Sequence, residues 1–158
     1  ILATVKGMLI NLTSADFANL NAKEAGLQTA GERQFLKFGK TGIRGEAEAG
    51  FPTVAEIGLP FLKNTVGTRN QRLLDTLLFI ASGTQDSNLI KRAGTPEIVA
   101  WLKPQIDQYF MLGGSKTNAG MKFLEELDQT FIDRNLSLGG SADLLILTIF
   151  LALLEGVL

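Results

Sequence analysis

The sequence contains no cysteine and no histidine. The first absence excludes disulfides, zinc–thiolate centres and thiol nucleophiles. The second removes the commonest general base, the commonest metal ligand and every Ser-His triad. No charge sign is in excess: 15 Lys and Arg face 16 Asp and Glu, a formal net charge of −1. A nucleic-acid binder normally carries a basic surplus, so that class is set aside. Proline is scarce, with four residues. Long apolar runs are missing too. The longest, Leu144 to Leu154, is interrupted by Thr148 and is shorter than the roughly 20 residues of a bilayer span. It reads as a buried core helix of a cytoplasmic protein. Any chemistry here must use carboxylates, Lys, Arg, hydroxyls, amides or backbone groups.

What is present is apolar material at helical spacing. The chain has 158 residues, 46% of them hydrophobic, enough to offset chain entropy in one domain. Leu73, Leu74, Leu77, Leu78 and Ala81 form one stripe. Ile98, Leu102, Ile106 and Phe110 form a second, and Leu124, Leu127 and Phe131 a third. No stretch alternates with period two, so no sheet is expected. Thr95-Pro96-Glu97 reads as a helix start, and Pro52 opens a helix over 53–62. Pro60 and Pro104 fall inside helical patterns, where a kink or break is expected. Gly113-Gly114 and Gly139-Gly140 read as helix ends or loops. The expectation is a single all-α domain over residues 1–158. It is a bundle of about six to eight helices around the apolar C-terminal helix.

Seventeen glycines concentrate the interest in three polar stretches. The first, Gly39 to Pro52, holds Arg44, Glu46 and Glu48 among glycines. It is either a ligand loop, with Arg44 on phosphate and the carboxylates on Mg²⁺, or an Arg44–Glu48 pair at a helix start. The second, Thr84 to Gly94, holds Asp86 and Asn88 ahead of Lys91 and Arg92. A metal or ribose contact is one reading, and Asp86 as the N-cap of a short helix is the favoured one. The third is Leu136-Ser-Leu-Gly139-Gly140-Ser141-Ala-Asp143. Backbone N–H groups at such a helix start suit an anion, with Ser141 as the N-cap. Asp143 would suit the helix dipole, or a divalent cation between it and a phosphate. Together the three stretches suggest a helical, Mg²⁺-dependent enzyme acting on a phosphorylated nucleotide.

At these residues the sequence resembles the triphosphoribosyl-dephospho-coenzyme A synthases. The resemblance is carried by Thr41-Gly-Ile-Arg-Gly-Glu-Ala-Glu-Ala-Gly-Phe-Pro52, by Asp86-Ser-Asn88 with Arg92 and Gly94, and by Leu136 to Leu145. It implies an all-α enzyme taking ATP and 3′-dephospho-CoA. The enzyme releases adenine and joins the triphosphoribosyl unit to the ribose 2′-hydroxyl, making the prosthetic-group precursor of citrate lyase acyl carrier protein. It assigns Lys6, Arg44, Gly45, Asn88, Arg92, Gly139, Gly140 and Ser141 to substrate and phosphate. Glu46, Glu48 and Asp143 become the catalytic carboxylates, and these with Asp86 the Mg²⁺ ligands. The family's Asn-Thr-His-Lys-Gly stands here as Ala3-Thr4-Val5-Lys6-Gly7. Its amino-terminal Ser-x-Lys-Pro-Gly motif has no counterpart, so the chain reads as the carboxy-terminal part of a longer enzyme. A missing amino-terminal half, or a second copy, would then cover exposed apolar surface. The alternatives are a helical nucleotide-binding or assembly module without turnover, and a Mg²⁺-dependent nucleotide pyrophosphatase. The transferase reading requires Arg44, Glu48, Asp86 and Asp143 to line one pocket.

Overall fold

Side-chain caps start four of the helices in the computed structural model, which describes residues 1–18, 20 and 25–158. Among these residues there are ten α-helices and no strand, as the helical spacing implies. None of the helices is long and apolar enough to cross a membrane. The helices gather into two units, Ile1–Pro52 and Thr53–Leu158.

The first unit contains α1 (Leu2–Met8), α2 (Leu12–Phe17), α3 (Ala30–Phe38) and α4 (Ile43–Ala49). Thr29 starts α3 through a capping box: its hydroxyl accepts from Glu32 N–H, and the Glu32 carboxylate accepts from Thr29 N–H. Phe17 of α2 stacks on Phe35 of α3 at 4.2 Å. The α4 segment is the glycine stretch of the first motif. Its glycines delimit a helix instead of preventing one. Gly42 and Gly50 take φ of 58° and 83° at its two ends, conformations that a side chain would strain.

The second unit contains α5 (Leu59–Asn64), α6 (Arg69–Gly83), α7 (Ser87–Ala93), α8 (Ile98–Met111), α9 (Asn118–Asp133) and α10 (Gly139–Leu154). A π-helical stretch, Thr53–Gly58, leads into α5. Pro60 has no N–H to return to the preceding turn, and the wider π turn falls beside it. Pro104 lies inside α8 without breaking it. Helix α8 begins at Ile98, after Thr95-Pro96-Glu97 and not within it. The core is built from Val54, Leu62, Ile80, Ile90, Leu102 and Ile106, all at 1% exposure or less. Each such side chain contributes about 1.5–3 kcal/mol through its burial.

Two expectations are corrected. Six to eight helices undercounts the fold, because short helices such as α4 and α7 form inside the polar stretches and are held by their caps. Helix α10, against which α5, α6, α7 and the π turn pack, is also not buried on all sides. That helix buries Ser141, Leu144, Thr148, Leu151 and Ala152 on one face. It leaves Ile146 66% and Leu154 58% exposed, with Phe150 and Leu153 half exposed. Apolarity all round therefore does not mean burial all round here.

Against its buried face α10 approaches the π turn closely. A Cβ on Gly58 would lie 2.6 Å from Thr148 Oγ1 and 3.0 Å from Ile80 Cδ1. We expect Gly58→Ala to cost about 1–3 kcal/mol through overpacking. Adding Thr148→Ala should recover part of that loss, as urea unfolding of the two single variants and the double variant would measure.

Candidate functional site

The second and third motifs meet at one side chain. Asp86 is the N-cap of α7, and its Oδ1 accepts from the N–H groups of Asn88 (2.9 Å) and Leu89 (3.1 Å). The same oxygen accepts from Gly140 N–H at 3.2 Å. Oδ2 accepts from Ser141 N–H at 2.7 Å and from the Ser141 hydroxyl at 2.8 Å. Thr84 Oγ1 lies 3.4 Å from that hydroxyl. Asp86 thus joins the starts of α7 and α10 and is 3% exposed. The favoured N-cap reading is correct, and the joining of α10 was not foreseen.

Three expected roles change as a result. The helix start at Gly139-Gly140-Ser141 does receive an anion, but it is the protein's own Asp86 carboxylate. The N–H groups of Gly140 and Ser141 are therefore engaged, which corrects their assignment to phosphate. Ser141 is not an N-cap. It lies inside α10 and donates to Asp86. Asp86 itself accepts five donors, which leaves no coordination site for Mg²⁺. The two glycines serve close approach. A Cβ on Gly139 would be 2.6 Å from Asn88 Nδ2, and one on Gly140 would be 3.0 Å from Asp86 Oδ1.

Around this junction Arg92, exposed on α7, donates from Nη1 to Asn135 Oδ1 at 2.6 Å and to the Asn135 carbonyl at 3.3 Å. That pair ties α7 to the α9–α10 connection. Asp143 is exposed in the first turns of α10 and has no hydrogen bond or ion pair among the described residues. Two clefts open beside the junction. One, of about 350 Å³, is lined chiefly by leucines of α6 and α9. The other, of about 450 Å³, includes Asn135 and Ser137.

The first motif lies in the other unit. Arg44 and Glu48 do share α4, but they do not pair with each other. Arg44 Nε meets Asp16 at 2.9 Å, and its guanidinium lies 5.4 Å from the Phe17 ring centre. Glu48 accepts from the Thr13 hydroxyl, and from Thr13 N–H at 3.1 Å. The Thr13 hydroxyl, helped by backbone donors and opposed by desolvation, holds the Glu48 carboxyl below its ordinary range. Both contacts fasten α4 to α2. Gly45 is required because a Cβ there would meet Thr41 Oγ1 at 2.0 Å. Glu46 is partly buried on α4. Lys6 is exposed on α1, and its stem lies 3.2 Å from where a Gly50 Cβ would be. Arg44, Glu46 and Glu48 thus fall in one unit, and Asp86 and Asp143 in the other. Within neither unit do three or more described carboxylates form a group that could hold a metal ion.

A second buried carboxylate escaped the sequence reading. Asp75 of α6 is fully buried. Its Oδ1 accepts from the Tyr109 hydroxyl at 2.7 Å and from Ser115 N–H at 3.0 Å, while Oδ2 meets Lys116 Nζ at 2.7 Å. Burial alone would push its carboxyl up, but Lys116, Tyr109 and Ser115 outweigh that and hold it below the usual range. Burial, and then the Asp75 carboxylate, raises the Tyr109 phenol well above its ordinary value. The signal available in the sequence was an acidic residue inside the Leu73–Leu78 apolar stripe.

Two stability outcomes follow from these carboxylates. Asp86→Ala should cost about 3 kcal/mol, because buried N–H groups of two helix starts lose their acceptor. Asp75→Asn should cost a similar amount, about 3 kcal/mol, at neutral pH. Because the folded Asp75 carboxyl titrates below its unfolded value, its contribution is complete above about pH 4 and is lost on further acidification. The gap between wild type and Asp75→Asn should therefore narrow below pH 4 in urea titrations.

The sequence pattern of the CitG family, described as ATP:dephospho-CoA triphosphoribosyl transferase, matches residues 1–158. A probable 2-(5''-triphosphoribosyl)-3'-dephosphocoenzyme-A synthase of Lactiplantibacillus plantarum is 57% identical over 154 residues, which is 98% of this chain and 55% of that protein. Protein CitXG of Leuconostoc mesenteroides subsp. cremoris is 51% identical over 96% of this chain and 33% of its own length. A synthase of the same description from Streptococcus equi subsp. equi is 38% identical over 96% of this chain and 51% of its own. The chain spans about half, or less, of the length of these relatives. No solved structure matches it. With a family pattern that runs its whole length, the chain belongs to the ATP:dephospho-CoA triphosphoribosyl transferase family.

Proposed function

We propose that this chain carries substrate-binding and catalytic groups of a transferase that moves the triphosphoribosyl unit of ATP to the 2′-hydroxyl of 3′-dephospho-CoA. Adenine is released, and the product is the prosthetic-group precursor of citrate lyase acyl carrier protein. The observation that carries the reading is the Asp86 junction. It brings two motifs more than fifty residues apart onto adjoining helix starts, with Asn88, Arg92 and Asp143 around them.

In the reaction the N-glycosidic bond of ATP breaks and the acceptor's 2′-oxygen bonds to the same anomeric carbon. The hydroxyl proton is passed on as adenine leaves. Positive charge develops at the sugar, so a nearby carboxylate lowers the barrier. Asp143 is suited to that role, being an exposed carboxylate of α10 with no partner among the described residues. Arg92 and Asn88 are suited to phosphate and ribose oxygens, and in the other unit Arg44, Glu46, Gly45 and Lys6 remain candidates for substrate contacts of that unit. Glu48 and Asp86 hold helices in place. No Mg²⁺ cage is built from the described carboxylates of either unit. Mg²⁺ fits this chain best as the ATP complex, with Asp143 as one ligand beside the phosphates. A cytoplasmic setting goes with two nucleotide substrates. The apolar side chains exposed on α10 suit a further stretch of polypeptide, as the longer relatives possess.

Incubation with ATP, Mg²⁺ and dephospho-CoA, followed by chromatography, tests the reading. Free adenine should appear in step with loss of both substrates. Asp143→Ala should lower the rate about 100-fold. Pyrophosphate in place of adenine would identify a pyrophosphatase instead, and ATP binding without turnover a binding module.

A further inference from the structure

The two clefts beside the junction are one trough. Asp128, Phe131 and Leu138 line both. One part, about 350 Å³, is walled by Leu74 and Leu77 of α6, Leu102 of α8, and Met121 and Leu124 of α9. The other, about 450 Å³, runs to Asn135. There Arg92 is bound to the Asn135 side chain and carbonyl. Leu138, shared by both parts, directly precedes the first turn of α10. Both volumes are of the size that small-molecule sites have.

The lining states what the trough takes. It is mostly aliphatic, which favours an uncharged hydrocarbon-like chain. Phe131 is the one aromatic residue among the residues lining the two clefts, so a stacked purine has no two-sided platform. Glu125 and Asp128 are exposed in its lining, Asp128 where the two parts meet. Two carboxylates repel a triphosphate but accept amide N–H groups. Arg92, hydrogen-bonded to Asn135 of the lining, places a cation at that end. A ligand with an uncharged amide-bearing arm and an anionic end fits this polarity. Resting on the transferase reading above, we infer that the trough holds the pantetheine arm of dephospho-CoA. The diphosphate then lies toward Arg92 and the nucleoside toward the α7–α10 junction.

The test is calorimetric titration of ATP and of dephospho-CoA into the wild-type chain and into Met121→Trp and Leu124→Trp, which fill the trough. Each variant should bind dephospho-CoA at least about tenfold more weakly while ATP affinity stays unchanged, and the ATP measurement also reports correct folding. Leu124→Met, which conserves volume, should retain dephospho-CoA affinity. Pantetheine alone should show saturation transfer in ligand-observed NMR with the wild type and none with the tryptophan variants. Dephospho-CoA binding equal in wild type and both tryptophan variants overturns the inference and leaves the transferase reading standing. Wild-type protein that binds neither ATP nor dephospho-CoA overturns both.

Discussion

The second unit depends on a carboxylate that two helices share. Neither α7 nor the start of α10 is a strong helix by itself. The first has seven residues, and the second opens on two glycines, which disfavour helix. Each also begins with N–H groups that lack an intrahelical partner. Asp86 meets both needs at once, with five donors around two oxygens. The partial positive ends of two helix dipoles and these donors offset the cost of burying its charge. The glycines that weaken the start of α10 are what allow the carboxylate to approach. A glycine pair that reads as a phosphate turn is here an internal docking surface for an aspartate.

That substitution explains which parts of the site were legible. Helix identity followed from apolar spacing, because the 3.6-residue period survives almost every context. The Asp86 cap was also legible, since an acidic residue ahead of a short apolar pattern has few other uses. Its link to Gly140 and Ser141 was not, because the partners lie more than fifty residues away and no local rule joins them. The Arg44–Glu48 spacing was read correctly as a shared helix face, yet tertiary partners, Asp16 and Thr13, prevailed over the local pair. An i,i+4 pair is worth only a few tenths of a kcal/mol, roughly 0.2–0.5, so any packed neighbour of opposite charge can displace it. The exposed face of α10 was misread for a different reason. Hydrophobicity identifies which residues favour burial, not whether this chain alone buries them.

Asp75 and Asp86 show how similar chemistry divides between roles. Both are buried aspartates whose oxygens accept hydrogen bonds. Asp75 is held by a lysine, a phenol and a backbone N–H, and it locks α6 to α8 and to the turn before α9. Asp86 has only backbone and hydroxyl donors, so the helix starts themselves neutralise it. The first arrangement consumes a cation; the second leaves both cations of its own helix, Lys91 and Arg92, at the surface.

The anion slot of α10 is therefore filled before any substrate arrives, and this constrains recognition. A triphosphate cannot rely on the backbone N–H groups of Gly140 and Ser141 without displacing a buried carboxylate that has five partners. Displacement would leave those partners and the charge unmatched, a loss of several kcal/mol. On the proposed function, phosphates would be met by side chains at the surface, with the divalent ion arriving as part of the ATP complex. Asn88 and Asp143 sit on helix starts that Asp86 fixes, and Arg92 lies in the last turn of the short helix α7, so their placement is set by the interior while their polar ends stay outside. On the proposed function the motif residues divide into two sets: Asp86, Gly140 and Ser141 build the platform, and Asn88, Arg92 and Asp143 around it are the candidates for a nucleotide.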